Sequence, residues 1–161
     1  IELQQDWDVS TFNSLYTFYY QGFNVRATDL QAYIGLTQID KLDDWGIRRE
    51  YNYLIYQELV KNNYWKPVDE LNDFTSNFAY PVIHPNRDKI VEKLEANGVD
   101  VRPMICGSMG TQPFYVKEYG RLELPNVKEI DEYGFYVPNN PHLTDNEIVY
   151  ISDIINGEIL K

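Results

Sequence analysis

The chain has 161 residues, with 14 basic against 25 acidic side chains, a net charge of −11 and 43% hydrophobic residues. That length suits a single domain, and the apolar content is enough for a packed core, so disorder is excluded for most of the chain. The negative field opposes a phosphate backbone and argues against nucleic-acid binding, and no apolar run reaches the roughly 18 residues of a membrane span. A single cysteine, Cys106, excludes an internal disulfide and suits a reducing cytoplasm.

Residues 1–26 are polar and aromatic with little periodicity, and 16–20 form a run of Tyr16, Thr17, Phe18, Tyr19 and Tyr20. The chain starts at Ile1 without methionine or a signal-peptide pattern, so it is expected to be a piece of a longer protein. Thr28 with Gln31 three residues on reads as a capping box opening a helix over 28–45. Leu30, Ile34, Leu36, Ile39 and Leu42 fill more than one face, which suits burial between layers or subunits. A second helix is expected with Ile47, Tyr51, Leu54, Ile55 and Leu59 inward, and Arg48, Arg49, Glu50 and Lys61 outward, ending near Asn63.

Beyond Pro67 the pattern becomes β-α-β-α-β-α. Strands are expected near 77–83, with Pro81 pushing the first toward a sheet edge, 99–104 and 135–138. A short helix with Ile90, Val91 and Leu94 inward ends at Asn97-Gly98. Residues 105–124, punctuated by Gly107, Gly110, Pro113 and Gly120, read as a long shaped loop. Pro125 opens a helix with Val127, Ile130 and Tyr133 inward, and Thr144 with Glu147 forms a second capping box before a final helix through Ile148, Ile151 and Ile155.

Isolated residues define no reaction. His84 and His142 have no metal-type partners at useful spacing, so no metal site is expected. A Cys106–His142 pair rests on no motif, and neither a P-loop nor a GxGxxG is present. Lys41, Lys61, Lys66, Lys89 and Lys93 read as solvated ammonium groups on polar faces or beside turns.

The order of segments is more specific. Gly22-Phe23-Asn24-Val25-Arg26-Ala27-Thr28-Asp29-Leu30-Gln31-Ala32, followed by Gly35, Gln38, Lys41 and Leu42, closely resembles a stretch of the DegT/DnrJ/EryC1/StrS sugar aminotransferases. The likeness continues through Asn97-Gly98-Val99, Val101-Arg102-Pro103, Gln112-Pro113 and Leu143-Thr144, and so covers roughly residues 16–156. Within the family, 101–105 with Gln112-Pro113 and the segment 134–140 look more like the 3-dehydratase branch.

This resemblance implies an α+β fold, the C-terminal small domain of the aspartate-aminotransferase fold. It would carry a three-stranded, mostly antiparallel sheet, flanking helices and a long N-terminal helical arm. Residues 1–66 would form the arm linking to a large domain, and 67–161 the small domain. It further implies pyridoxal 5'-phosphate or pyridoxamine 5'-phosphate as cofactor, a nucleotide-linked 4-keto-6-deoxy sugar as substrate, and a cytoplasmic homodimer with shared active sites. The Schiff-base lysine of the aminotransferases, or the histidine of the dehydratases, is expected upstream of this chain, which by itself would be inactive.

By the same resemblance Asn24 reaches the phosphate of the partner subunit's cofactor, and Arg102 lies near the sugar nucleotide. Arg26, Gln112 and Asp100 are further substrate candidates. Physically, Asn24 is an amide donor just before a capped helix start, and Arg102 is a guanidinium in an extended stretch facing away from Val99 and Val101. The competing readings are a turn-forming Asn24 and a solvent-facing Arg102. A non-catalytic binding or dimerisation domain that keeps this fold is the alternative function.

Overall fold

The computed structural model describes residues 2–22, 28–61, 63–64 and 74–157. A short helix α1 (Glu2–Asp6) and a 3₁₀ turn (Asn13–Tyr16) precede α2 (Asp29–Leu36) and α3 (Leu42–Leu59). Then follow β1 (Ala79–Ile83), α4 (Arg87–Ala96), β2 (Arg102–Pro103), α5 (Pro113–Tyr119), α6 (Pro125–Tyr133), β3 (Gly134–Pro138) and α7 (Asp145–Asn156). The boundary anticipated between residues 66 and 67 lies outside the described residues.

The three strands form one antiparallel sheet in the order β1-β3-β2. Alternation along β3 sends Phe135 and Val137, both with no exposed surface, to one face and Tyr136 to the other. On the inner face they join Tyr80 and Val82 of β1, Val101, and the helices α3, α4 and α7, whose Tyr56, Leu94, Ile148 and Ile151 complete a continuous core. Tyr56 stacks on Tyr80 with ring centroids 4.7 Å apart. Its hydroxyl donates to the Pro138 carbonyl at 3.0 Å, so this large polar side chain is buried with its oxygen partnered.

Pro81 sits on β1, an edge strand, as its missing N–H requires. The outer edge there is occupied by Asn63, whose amide donates to the Pro81 carbonyl at 2.9 Å and accepts from the Ile83 N–H at 3.0 Å.

Several expectations are corrected. The helix expected over 28–45 breaks after Leu36, where the Thr37 hydroxyl bonds back to the Ile34 carbonyl at 2.7 Å and a 3₁₀ turn (Ile39–Lys41) intervenes. α3 also presents a different face from the one its aliphatic spacing suggests. Gly46, Asn52, Tyr53 and Tyr56 are buried, while Ile47, Tyr51 and Leu54 are exposed. The reason is polar satisfaction: Asn52 donates to the Asn140 carbonyl at 3.0 Å, and Arg48 reaches the Leu143 carbonyl and Asp145 at 2.6 and 2.7 Å.

The loop expected over 105–124 contains α5, in which Pro113 is the first helical residue rather than a breaker. The strand near 99–104 shortens to two paired residues. α6 has no fully buried residue, and Ile130 faces outward. Residues 2–6 and 13–16, expected to be irregular, form a helix and a 3₁₀ turn.

Asn139, wholly buried just past β3, joins three segments. Its side-chain amide donates to the Arg49 carbonyl at 3.1 Å and to the Asn77 carbonyl at 2.8 Å, while its backbone N–H donates to Phe78. Removing the amide in Asn139→Ala strands two carbonyls. Stability should fall by about 2 kcal/mol or more. Urea denaturation of the two proteins checks this, and superimposable curves would refute it.

At the start of α7 the Glu147 carboxylate accepts from the Thr144 N–H and from the Thr144 hydroxyl, both at 2.8 Å. These bonds, the backbone one foremost, hold its pKa below the usual carboxylate range. A lowered folded pKa stabilises the fold fully above the unfolded value of about 4.3 and is lost as pH falls through the folded value. Glu147→Gln should therefore be less stable than the native chain at neutral pH, with the gap closing in acid. Urea midpoints from neutral pH down to the acid limb measure that gap.

Candidate functional site

Because Phe135 and Val137 are fixed in the core, Tyr136 must stand on the outer face of the sheet. Register places Arg102 of β2 directly across from it, and Pro81 across on the other side. The 3₁₀ turn Asn13–Tyr16 lies against β2, and the Tyr16 hydroxyl meets the Tyr136 hydroxyl at 2.8 Å. Burial first, and this hydrogen bond second, push the Tyr136 phenol above the ordinary tyrosine range, so it stays protonated at neutral pH.

Arg102 pairs with Asp100 at 3.2 Å, with the guanidinium side chain 43% exposed and the carboxylate side chain 74% exposed. Hydrogen bonding to Asp100 raises the Arg102 pKa above its ordinary value. Two of the substrate candidates are thus brought together, and Tyr136 and Tyr16 join them.

Gln112 has a different setting. It is buried, and its amide donates to the carbonyls of Tyr16 (3.0 Å) and Cys106 (2.9 Å) while its oxygen accepts from the Phe18 N–H (2.7 Å). It therefore ties the aromatic segment 16–18 to the loop before α5. Phe114 N–H donates to the Phe18 carbonyl, and the Lys117 ammonium lies 5.4 Å from the Trp7 ring centroid and 4.7 Å from that of Tyr20.

That loop turns sharply through Cys106 and Gly107, both with positive φ. The positive φ of Gly107 favours glycine, and a Cβ there would displace the Asp131 carboxylate. Between this turn and the N-terminal segment is a cleft of about 200 Å³ whose lining includes Trp7, Tyr16, Pro103, Gln112, Arg121 and Asp131.

Asn24 and Arg26 lie outside the described residues. Lys66 does too, whereas Lys41 rests over the Trp45 ring and Lys61, Lys89 and Lys93 are exposed. Among the described residues no three His, Cys, Asp or Glu side chains gather as a metal site, and no helix is long and apolar enough to cross a membrane.

Tyr136 was legible only as a strand residue and Tyr16 only as part of an aromatic run. Alternation with Phe135 and Val137 marks Tyr136 as outward-facing, but nothing local in the sequence signals a hydroxyl contact across 120 residues.

The sheet and its flanking helices are those of a pyridoxal-phosphate aminotransferase fold. The solved structure of the E. coli GDP-4-keto-6-deoxy-D-mannose-3-dehydratase with bound hydrated PLP superposes with a TM-score of 0.68 at 22% identity, covering 91% of this chain and 40% of that one. The chain belongs to the DegT/DnrJ/EryC1/StrS aminotransferase family, whose model matches residues 5–156. Among curated relatives, the GDP-4-keto-6-deoxy-D-mannose 3-dehydratase of Yersinia pseudotuberculosis is 24% identical over 82% of this chain and 36% of its own length. The GDP-perosamine synthase of Caulobacter vibrioides is 27% identical over 84% of this chain and 38% of its own. The chain thus spans little more than a third of the length of these relatives.

Tyr16→Phe should lower the Tyr136 pKa part of the way toward the ordinary tyrosine value, leaving the contribution of burial. Alkaline titration of the labelled Tyr136 ζ-carbon by NMR reads this, and an unmoved midpoint would show that the hydroxyl pair does not form.

Proposed function

We propose that this chain is part of a pyridoxal- or pyridoxamine-phosphate enzyme acting on a nucleotide-linked 4-keto-6-deoxy sugar, as a 3-dehydratase or a sugar aminotransferase. The observation that carries this reading is the family match over residues 5–156, with dehydratases and an amino-sugar synthase among the relatives. The unpaired Cys106 agrees with a cytoplasmic setting.

When bound, the cofactor supplies an electron sink for bond cleavage at the sugar. For its phosphate Asn24 offers an amide donor, ahead in sequence of the capped first turn of α2. In this proposal Asn24 holds the phosphate of the partner subunit's cofactor, and Arg102 contacts the sugar nucleotide beside Asp100. Arg26 assists on the same substrate, and Gln112 acts through the segment 16–18 that it holds. A homodimer with shared sites is supported by the aliphatic surface of α2 and α3, where Leu30, Ile34, Leu36, Leu42, Ile47 and Leu54 are all more than half exposed.

Two substitutions in the whole protein separate these roles. Asn24→Ala should raise the cofactor dissociation constant about ten- to a hundredfold, the scale of one lost charge-assisted hydrogen bond. Arg102→Ala should leave cofactor affinity alone and raise KM for the nucleotide sugar about tenfold or more. A cofactor titration paired with steady-state kinetics reads both. Equal cofactor loss in the two variants, or no change in either constant, refutes the assignment.

A further inference from the structure

The outer face of the sheet gathers five side chains of mixed character in one place. Arg102 and Asp100 form an ion pair at 3.2 Å, and Tyr136, in register with Arg102, shares a 2.8 Å hydrogen bond with Tyr16. Phe78 meets the Tyr136 ring edge-to-face at 5.6 Å and is itself 58% exposed. Tyr16 carries this group to the lip of the cleft that Pro103 and Gln112 also line.

The charge of the arginine is already compensated. A diphosphate approaching Arg102 meets the more exposed Asp100 carboxylate as well, within a chain of net charge −11. A neutral sugar hydroxyl is better matched, since it donates one hydrogen bond and accepts others. It can donate to the Asp100 carboxylate and accept from the guanidinium in the same approach. The tyrosine pair uses only one of its two hydroxyl hydrogens internally and has the second to offer. The exposed Phe78 ring supplies an apolar surface for the C–H face of a pyranose.

We infer that Asp100, Arg102, Tyr16, Tyr136 and Phe78 form the subsite for the neutral hexose ring of the substrate, and that the diphosphate is bound elsewhere. This rests on the nucleotide-sugar reading above and assigns which part of that substrate these residues recognise. Tyr136 keeps its proton at neutral pH and so serves as a hydrogen-bond donor or acceptor without adding charge.

Calorimetric titration of the whole protein tests the inference, with GDP, dTDP and UDP compared against GDP-mannose, dTDP-glucose and UDP-glucose. The native protein should bind one hexose conjugate more tightly than the corresponding nucleoside diphosphate. Asp100→Asn should weaken the conjugate about tenfold while leaving the free diphosphate within about twofold, as expected for loss of a charged acceptor. Tyr136→Phe keeps the ring against Phe78 and should weaken the conjugate about threefold, again without moving the diphosphate.

If Arg102 reads phosphate instead, Asp100→Asn frees the guanidinium and tightens the free diphosphate. That result overturns the inference, as do parallel losses for both ligands or no loss for either. A native protein that binds none of the six compounds fails at the first titration, which marks failure of the nucleotide-sugar reading itself and takes this inference with it.

Discussion

A buried NH2 group has to find acceptors, and that of Asn139 finds them on elements far apart in sequence. Its side chain holds the α3 backbone at Arg49 and the segment entering β1 at Asn77, from a position one residue beyond β3. Those two bonds, with the Tyr56 hydroxyl on Pro138, set the height and rotation of α3 over the sheet. Once α3 is set, Tyr53 and Tyr56 stand over Tyr80 and the aromatic part of the core closes. Leu42, Ile47 and Leu54 are left outside as a consequence, while Ile55 packs against the core's margin. This is a helix oriented by its polar residues, with the apolar ones following.

The inner packing also decides what the outer face can offer. Strand geometry gives each residue of β3 one side or the other, so fixing Phe135 and Val137 inward leaves Tyr136 no choice. β2 is only two residues long, yet its pairing with Phe135 and Tyr136 suffices to bring Arg102 beside the tyrosine. Gln112 then holds the N-terminal aromatic segment against the same region from the other side. The polar cluster is thus assembled from three stretches of chain, each held by contacts made elsewhere.

Much of this was readable from residues alone. Both capping boxes, at Thr28 and Thr144, form as their S/T-x-x-E/Q spacing requires, because the signal is local and complete within four residues. The left-handed end at Gly98, the edge position of Pro81 and the buried face of α4 were legible for the same reason. The rotation of α3 was not, since aliphatic spacing cannot report that Asn52 and Tyr56 have carbonyls waiting on another segment. α5 was hidden because its seven residues are too few to show a period and begin with proline. Of the candidate site, Asp100 and Arg102 were each named as substrate candidates by resemblance, but their ion pair was not read, and the partnership of Tyr16 with Tyr136 depends on strand register and chain return.

The outer edge of β1 bears on whether the sheet can accept a further strand. Edge strands ordinarily invite another strand to pair, the route by which sheets grow into fibres. Here the outward groups of Pro81 and Ile83 are already spoken for. Pro81 has no N–H to give, while Asn63 takes its carbonyl and supplies an acceptor to Ile83, and the Tyr64 N–H takes the Ile83 carbonyl. The opposite edge, at β2, offers only two residues of ladder. Among the described residues, an added strand therefore finds little free ladder at either edge. Growth of the sheet by added strands is checked at these positions by a proline, by one asparagine side chain and by chain already in place.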